Sequence, residues 1–152
     1  MNARRRLALL AALGCFAIAL AAANGCGRRG APRPPEDVLP ETIRRLAASN
    51  GKESIVLTWE RPDRYVDAAT MTDLGSFAIE RAVGTDVSAG FEEIARIAIE
   101  DRDRFRQVKN FRFEDTQVNP GTTYRYRVFS TTTDAYRSAA SNEVSLERAP
   151  AD

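Results

Sequence analysis

Apolar and polar residues alternate with a period of two over several short stretches of this chain, and those stretches predict its elements. Ile55, Leu57 and Trp59 fall on one face, with Ser54, Val56 and Thr58 on the other. Tyr124, Tyr126 and Val128 share a face in the same way, against Thr123, Arg125 and Arg127 on the solvent side. Such alternation marks a strand with one face in a core, and Tyr, Val, Phe and Thr fill strands well. The pattern predicts further strands over residues 42–49 (Ile43 and Leu46 inward), 76–83 (Phe77 and Ile79 inward), 111–118, and 138–147 (Val144 and Leu146 inward). The first of these, rich in Arg, Leu and Ala, also permits a helical turn. Residues 91–99 have apolar positions at 91, 94, 97 and 99. That mixed spacing predicts a strand with a bulge or a strand switching sheets, with a short helix as the rival.

Turn chemistry separates the stretches. Asn50-Gly51 is a hairpin signal. Residues 61–75 carry Pro, Gly and three Asp and predict a long loop, 84–90 a turn, and 101–109 a charged loop. Seven short strands and no helix predict an all-β, antiparallel sandwich. Trp59, the only Trp, is expected between the sheets. Tyr124 follows the Pro120-Gly121 turn on the inward face, where a tyrosine corner places its ring in the core and its hydroxyl on nearby backbone.

Three segments carry a likeness: Leu57-Thr58-Trp59 with Pro62; Phe77-Ala78-Ile79-Glu80-Arg81; and Phe113-Glu114-Asp115-Thr116 leading to Pro120-Gly121-Thr122-Thr123-Tyr124. Ser138 and Ser141 ahead of the last strand add to it. Residues 41–148 thereby resemble a fibronectin type III domain of the kind frequent in bacterial exported proteins. The likeness implies a seven-stranded, immunoglobulin-like sandwich acting as an interaction or spacer module. The loop at 61–75 and the charged insertion near 101–109 depart from it. With strands running alternately up and down, the first strand starts at the pole carrying loops 61–75, 99–110 and 131–138. The turn at 119–121 and the C-terminus then lie at the opposite pole.

The N-terminus reads differently. Arg4, Arg5 and Arg6 precede an unbroken apolar or small-residue run over residues 7–23, ending at Ala23-Asn24-Gly25-Cys26. This resembles a bacterial lipoprotein signal, which implies cleavage after residue 25 and a diacylglycerol on the Cys26 sulfur. Asn24 and Ala23 are unusual in that box; Ala12-Leu13-Gly14-Cys15 is a rival, and an ordinary signal peptide or uncleaved anchor is the alternative. Residues 26–40 hold four prolines and no apolar period, and are read as a lipidated, flexible linker. Cys26-Gly27-Arg28-Arg29-Gly30-Ala31-Pro32 is similar to the start of some short outer-membrane lipoproteins, including one that assists lipopolysaccharide-translocon assembly. The absence of a retention Asp after Cys26 implies outer-membrane sorting under enterobacterial rules.

Composition narrows the chemistry. Hydrophobic residues are 43% and charged residues 28% of the chain, a globular balance. Loss of the three N-terminal arginines takes the net charge from +1 to −2, which gives no electrostatic basis for nucleic acid. There is no histidine, the commonest general base and zinc ligand. Asp101-Arg102-Asp103-Arg104 is a poor Ca²⁺ set because each carboxylate has a cation beside it. Glu92, Glu93 and Glu100 sit at strand edges, and the Ser and Thr at 130–133 have no base to activate them. The expectation is a non-enzyme with no cofactor and no metal, held to a membrane through Cys26 and meeting an envelope protein or a glycan. Tyr65, Phe105 and Tyr136 fall in loops outside the alternation and are the candidate contact residues.

Overall fold

The computed structural model describes residues 34–100 and 109–150; Cys26, Phe105 and all but Lys109 of the charged loop expected at 101–109 lie outside them. Seven strands form among the described residues: β1 (Ala47–Asn50), β2 (Ile55–Glu60), β3 (Leu74–Val83), β4 (Glu92–Ala98), β5 (Asn110–Asp115), β6 (Thr123–Thr132) and β7 (Val144–Glu147). They make two antiparallel sheets, of order β1-β2-β5 and β4-β3-β6-β7. The fold is an all-β sandwich.

The inward residues of both sheets form one core. Trp59 is buried, its ring 5.4 Å from Phe77 in an edge-on arrangement and 6.1 Å from Phe111 in a stacked one. Ile55, Leu57, Ile79, Tyr124, Tyr126 and Val128 belong to the same core. Burying each large side chain stabilises the fold by about 1.5–3 kcal/mol, so this layer dominates its stability. The irregular spacing in β4 has its cause in register. Ile79 pairs with Ala95 but Glu80 pairs with Glu93, so Ile94 is an extra residue and the strand bulges there. Gly75 is the corresponding extra residue of β3, opposite Thr131 and Thr132. A Cβ on Gly75 would lie 2.9 Å from the Thr132 carbonyl carbon, so glycine is required at this approach.

β1 and β7 start well after the positions that the sequence pattern predicts, because side chains replace ladder partners; β5 in turn ends at Asp115 rather than at 118. Residues 42–46 are not strand, although Ile43 and Leu46 are buried. Leu46 gives its N–H to Asn142 Oδ1 (3.0 Å), and its carbonyl accepts from Asn142 Nδ2 (2.9 Å). Asn142 thereby closes the seam between the sheets and delays the start of β1. At the other end β7 starts at Val144 rather than at 138. Ser141 Oγ accepts from the Val128 N–H (2.9 Å) and Ser138 Oγ accepts from the Ser130 N–H (3.0 Å). The hydroxyls stand in for backbone carbonyls along β6.

The poles are arranged as the alternation of strand direction requires. Arg61 donates its N–H to Lys109 O, Ile99 to Gly75 O and Thr133 to Asp73 O, so the ends of three loops meet at one pole. At the other, Gly121 donates to Arg148 O and Asn50 Nδ2 to Glu147 O, joining the 119–121 turn, the first hairpin and the C-terminal segment.

Candidate functional site

The pole where the chain enters the sandwich is built around a small ladder. Arg64 pairs with Thr70, and Tyr65 gives its N–H to Ala69 O at 2.9 Å, making a short hairpin inside the 61–73 loop. Asp67 Oδ1 holds the tip by accepting from the Ala69 N–H. On the hairpin's other side lie residues 39–41. Pro40 pairs with Tyr65, the Glu41 N–H donates to Arg64 O (2.9 Å), and the Val66 N–H donates to Leu39 O (3.0 Å). Pro40 is fully buried, and a 3-10 turn over Pro35–Val38 precedes it. The docked chain thus reaches back before residue 41, and the freely extended linker expected up to residue 40 is shorter than that.

Tyr65 was expected as an exposed contact and is not one. It is 9% exposed, and its hydroxyl donates to Asp73 Oδ1 at 2.5 Å. A ring with a polar tip, set against a core and given a carboxylate partner, anchors the loop. Tyr136 is half-buried in the turn after β6, where its N–H donates to Thr132 Oγ1 and its carbonyl accepts from the Thr132 N–H. Phe105 lies outside the described residues. The three aromatics therefore do not form one surface among the described residues.

At the opposite pole Tyr124 makes the corner. Its hydroxyl accepts the Asn119 N–H at 2.9 Å, and the Arg81 guanidinium lies 5.4 Å over its ring. Arg81 also bridges the sheets by donating to Asp115 Oδ2 (2.8 Å) and to Gln117 O (2.9 Å). The Tyr126 hydroxyl donates to the same carboxylate oxygen at 2.9 Å. Burial and the adjoining Asp115 carboxylate push the Tyr126 phenol well above its ordinary range, so it stays a donor.

The outer face of the four-stranded sheet carries a stack of alternating cations and rings. Arg125 and Arg127 lie 5.1 and 4.1 Å over Phe91; Arg127 and Arg137 lie 5.3 and 3.7 Å over Phe129. Glu80 stands at its centre. Its carboxylate accepts from Arg127 Nε (2.7 Å) and from Arg137 NH2 (2.6 Å). Burial alone would raise its carboxyl, but the hydrogen bonds and charges of Arg137 and Arg127 outweigh it and hold the group below its ordinary value. Arg125, expected to be solvent-exposed, is only 5% exposed. It lies on the outer face as the alternation requires, yet the 84–90 turn covers it. Its guanidinium donates to Gly84 O (3.2 Å), Asp86 O (2.5 Å), Ala89 O (3.3 Å) and Glu143 Oε1 (3.2 Å). The sequence pattern put this arginine on the solvent side and assigned no role to Glu80, and the carboxylate that collects two cations is visible only once β3, β6 and the 133–137 turn are brought together.

Chemically, these clusters are closed. Each charged group named above ends on a partner within the domain, and among the described residues no three His, Cys, Asp or Glu side chains converge to hold a metal ion. No protein-family model matches the chain, and no curated protein matches it. Solved structures do share its architecture. The twitchin kinase region of C. elegans has a TM-score of 0.53 at 12% identity, over 74% of this chain; the chain spans 17% of that structure. The third fibronectin III domain of human KIAA0343 protein gives 0.51 at 10% identity, covering 83% of this chain and 96% of that one. An Fn3-like protein from Clostridium thermocellum gives 0.49 at 21% identity, over 74% and 97% of the two chains. The first two likenesses are of fold alone: the sandwich is fibronectin type III-like.

Proposed function

We propose that this chain is a non-catalytic interaction or spacer module of the bacterial cell envelope, lipid-anchored through Cys26 and sorted to the outer membrane. The observation that carries this reading is the order of parts along the chain. An arginine cluster and an apolar run end at Ala23-Asn24-Gly25-Cys26, and a closed fibronectin type III-like sandwich follows within a few tens of residues. Residues 27–33 separate the cysteine from the docked segment, a span of ~22 Å if extended as polyproline II at about 3.1 Å per residue. The sandwich therefore works close to the membrane surface, with the pole of the 61–73 and 133–137 loops toward it. The partner is an envelope protein or a glycan, and among the described residues the half-buried Tyr136 is the candidate loop aromatic in reach of it.

Replacing Cys26 by Ser tests the anchor. The precursor accumulates and the chain leaves the detergent phase, whereas Cys15→Ser changes neither. The reverse pattern would move the anchor to Cys15. The Cys26-Gly27-Arg28-Arg29-Gly30-Ala31-Pro32 likeness favours a second reading, in which that segment acts in outer-membrane assembly and the sandwich is secondary. An envelope defect on deleting residues 27–32, with none on deleting the sandwich, would select it.

A further inference from the structure

Residues 39–41 are held to the sandwich differently from the strands that follow. They add a third member to the 64–70 hairpin through two backbone hydrogen bonds, Glu41 N–H to Arg64 O and Val66 N–H to Leu39 O. Pro40 sits fully buried between those two bonds, opposite Tyr65, and Val38 packs against the core from the preceding 3-10 turn. β1, by contrast, is paired with β2 at four positions and fastened across the seam by Asn142 and Asn50.

We propose that residues 34–41 form a strap, which a pull on the N-terminal side releases before the sandwich yields. A load entering from the N-terminus reaches this short ladder first and the β1–β2 ladder only afterwards. Two hydrogen bonds and one buried ring open at a lower load than four paired positions with side-chain clamps, because local opening follows the number of contacts that must break together. Release removes the backbone neighbour of Tyr65 and leaves the 61–73 loop held by its own hairpin and by the Tyr65–Asp73 hydrogen bond. The loop pole thus has a covered and an uncovered form, set by tension. The relevance of tension in the cell rests on the anchor proposed above; the strap itself does not.

The experiment stretches residues 26–152, carrying Cys26→Ser and end tags, in an optical trap. An early lengthening of no more than roughly 30 Å precedes global unfolding, since eight residues extend at about 3.3–3.6 Å each. Adding Leu39→Cys and Val66→Cys and oxidising the pair cuts that step to residues 34–38, at most about 18 Å, and reduction restores its full length. Glu41→Pro, which deletes one donor and spares the core, lowers the force of the step in the uncrosslinked chain. Unfolding in a single step, or an early step whose length the oxidised pair leaves unchanged, would overturn the strap. No lipid is present, so failure of the Cys26 anchor would leave this result standing.

Discussion

The hydroxyl of Tyr124 accepts the backbone N–H of Asn119 at 2.9 Å, tying the start of β6 to the turn that delivers it. The ring belongs to the core and the hydroxyl to the turn, so one residue couples sheet packing to loop geometry. Tyr124→Phe keeps the ring and loses the bond, at a cost of about 1 kcal/mol. Trp59→Ala removes a side chain lodged between Phe77 and Phe111 and costs about 3–5 kcal/mol. Urea denaturation ranks the two, and a Tyr124→Phe loss equal to that of Trp59→Ala would contradict this division of labour.

Arg125 is the residue whose replacement departs furthest from what its place in the alternation suggests. Truncation to Ala strips donors from three carbonyls of the 84–90 turn and a partner from Glu143. The expected loss is about 1–3 kcal/mol, since those carbonyls lie near enough to the surface to recover water. Amide exchange in 84–90 speeds up in the same variant. A change within about 0.5 kcal/mol, normal for an exposed site, would return Arg125 to the surface.

The contrast shows which parts of this fold a sequence carries. The strands and the tyrosine corner follow from period-two alternation and a Pro-Gly turn, because strand facing and turn type are local. The mixed spacing of 91–99 allowed a bulge, a sheet switch or a short helix, and only the pairing with β3 selects the bulge and puts it at Ile94. The burial of Arg125 was not legible, because alternation names the side of the sheet and is silent on what folds over it. Tyr65 sits in a stretch polar enough to read as solvent-facing; its burial comes from Pro40, twenty-five positions earlier, and from Asp73. Ser138 and Ser141 fit an expected motif, yet their use as substitutes for backbone acceptors delayed the start of β7 to Val144.

Glu80 gives the domain a predictable acid response. Its carboxyl lies below the ordinary value of 4.5, so the stability it contributes is complete above that pH and drains away as pH falls through the folded value. Protonation leaves Arg127 and Arg137 facing each other without their shared acceptor; Glu93, opposite on β4, is taken up by Arg96. Melting temperatures of the wild type and of Glu80→Gln therefore converge as pH drops from 6 toward 3. Parallel pH profiles for the two proteins would remove Glu80 from the acid response.

The central claim is that a fibronectin type III-like sandwich hangs from a lipidated Cys26, and the intact mass of the protein extracted from membranes tests it most directly. The account predicts a chain beginning at residue 26, carrying diacylglycerol on the Cys26 sulfur and an acyl group on its amine. An unmodified N-terminus, a chain retaining residues 1–25, or lipid on Cys15 would contradict it.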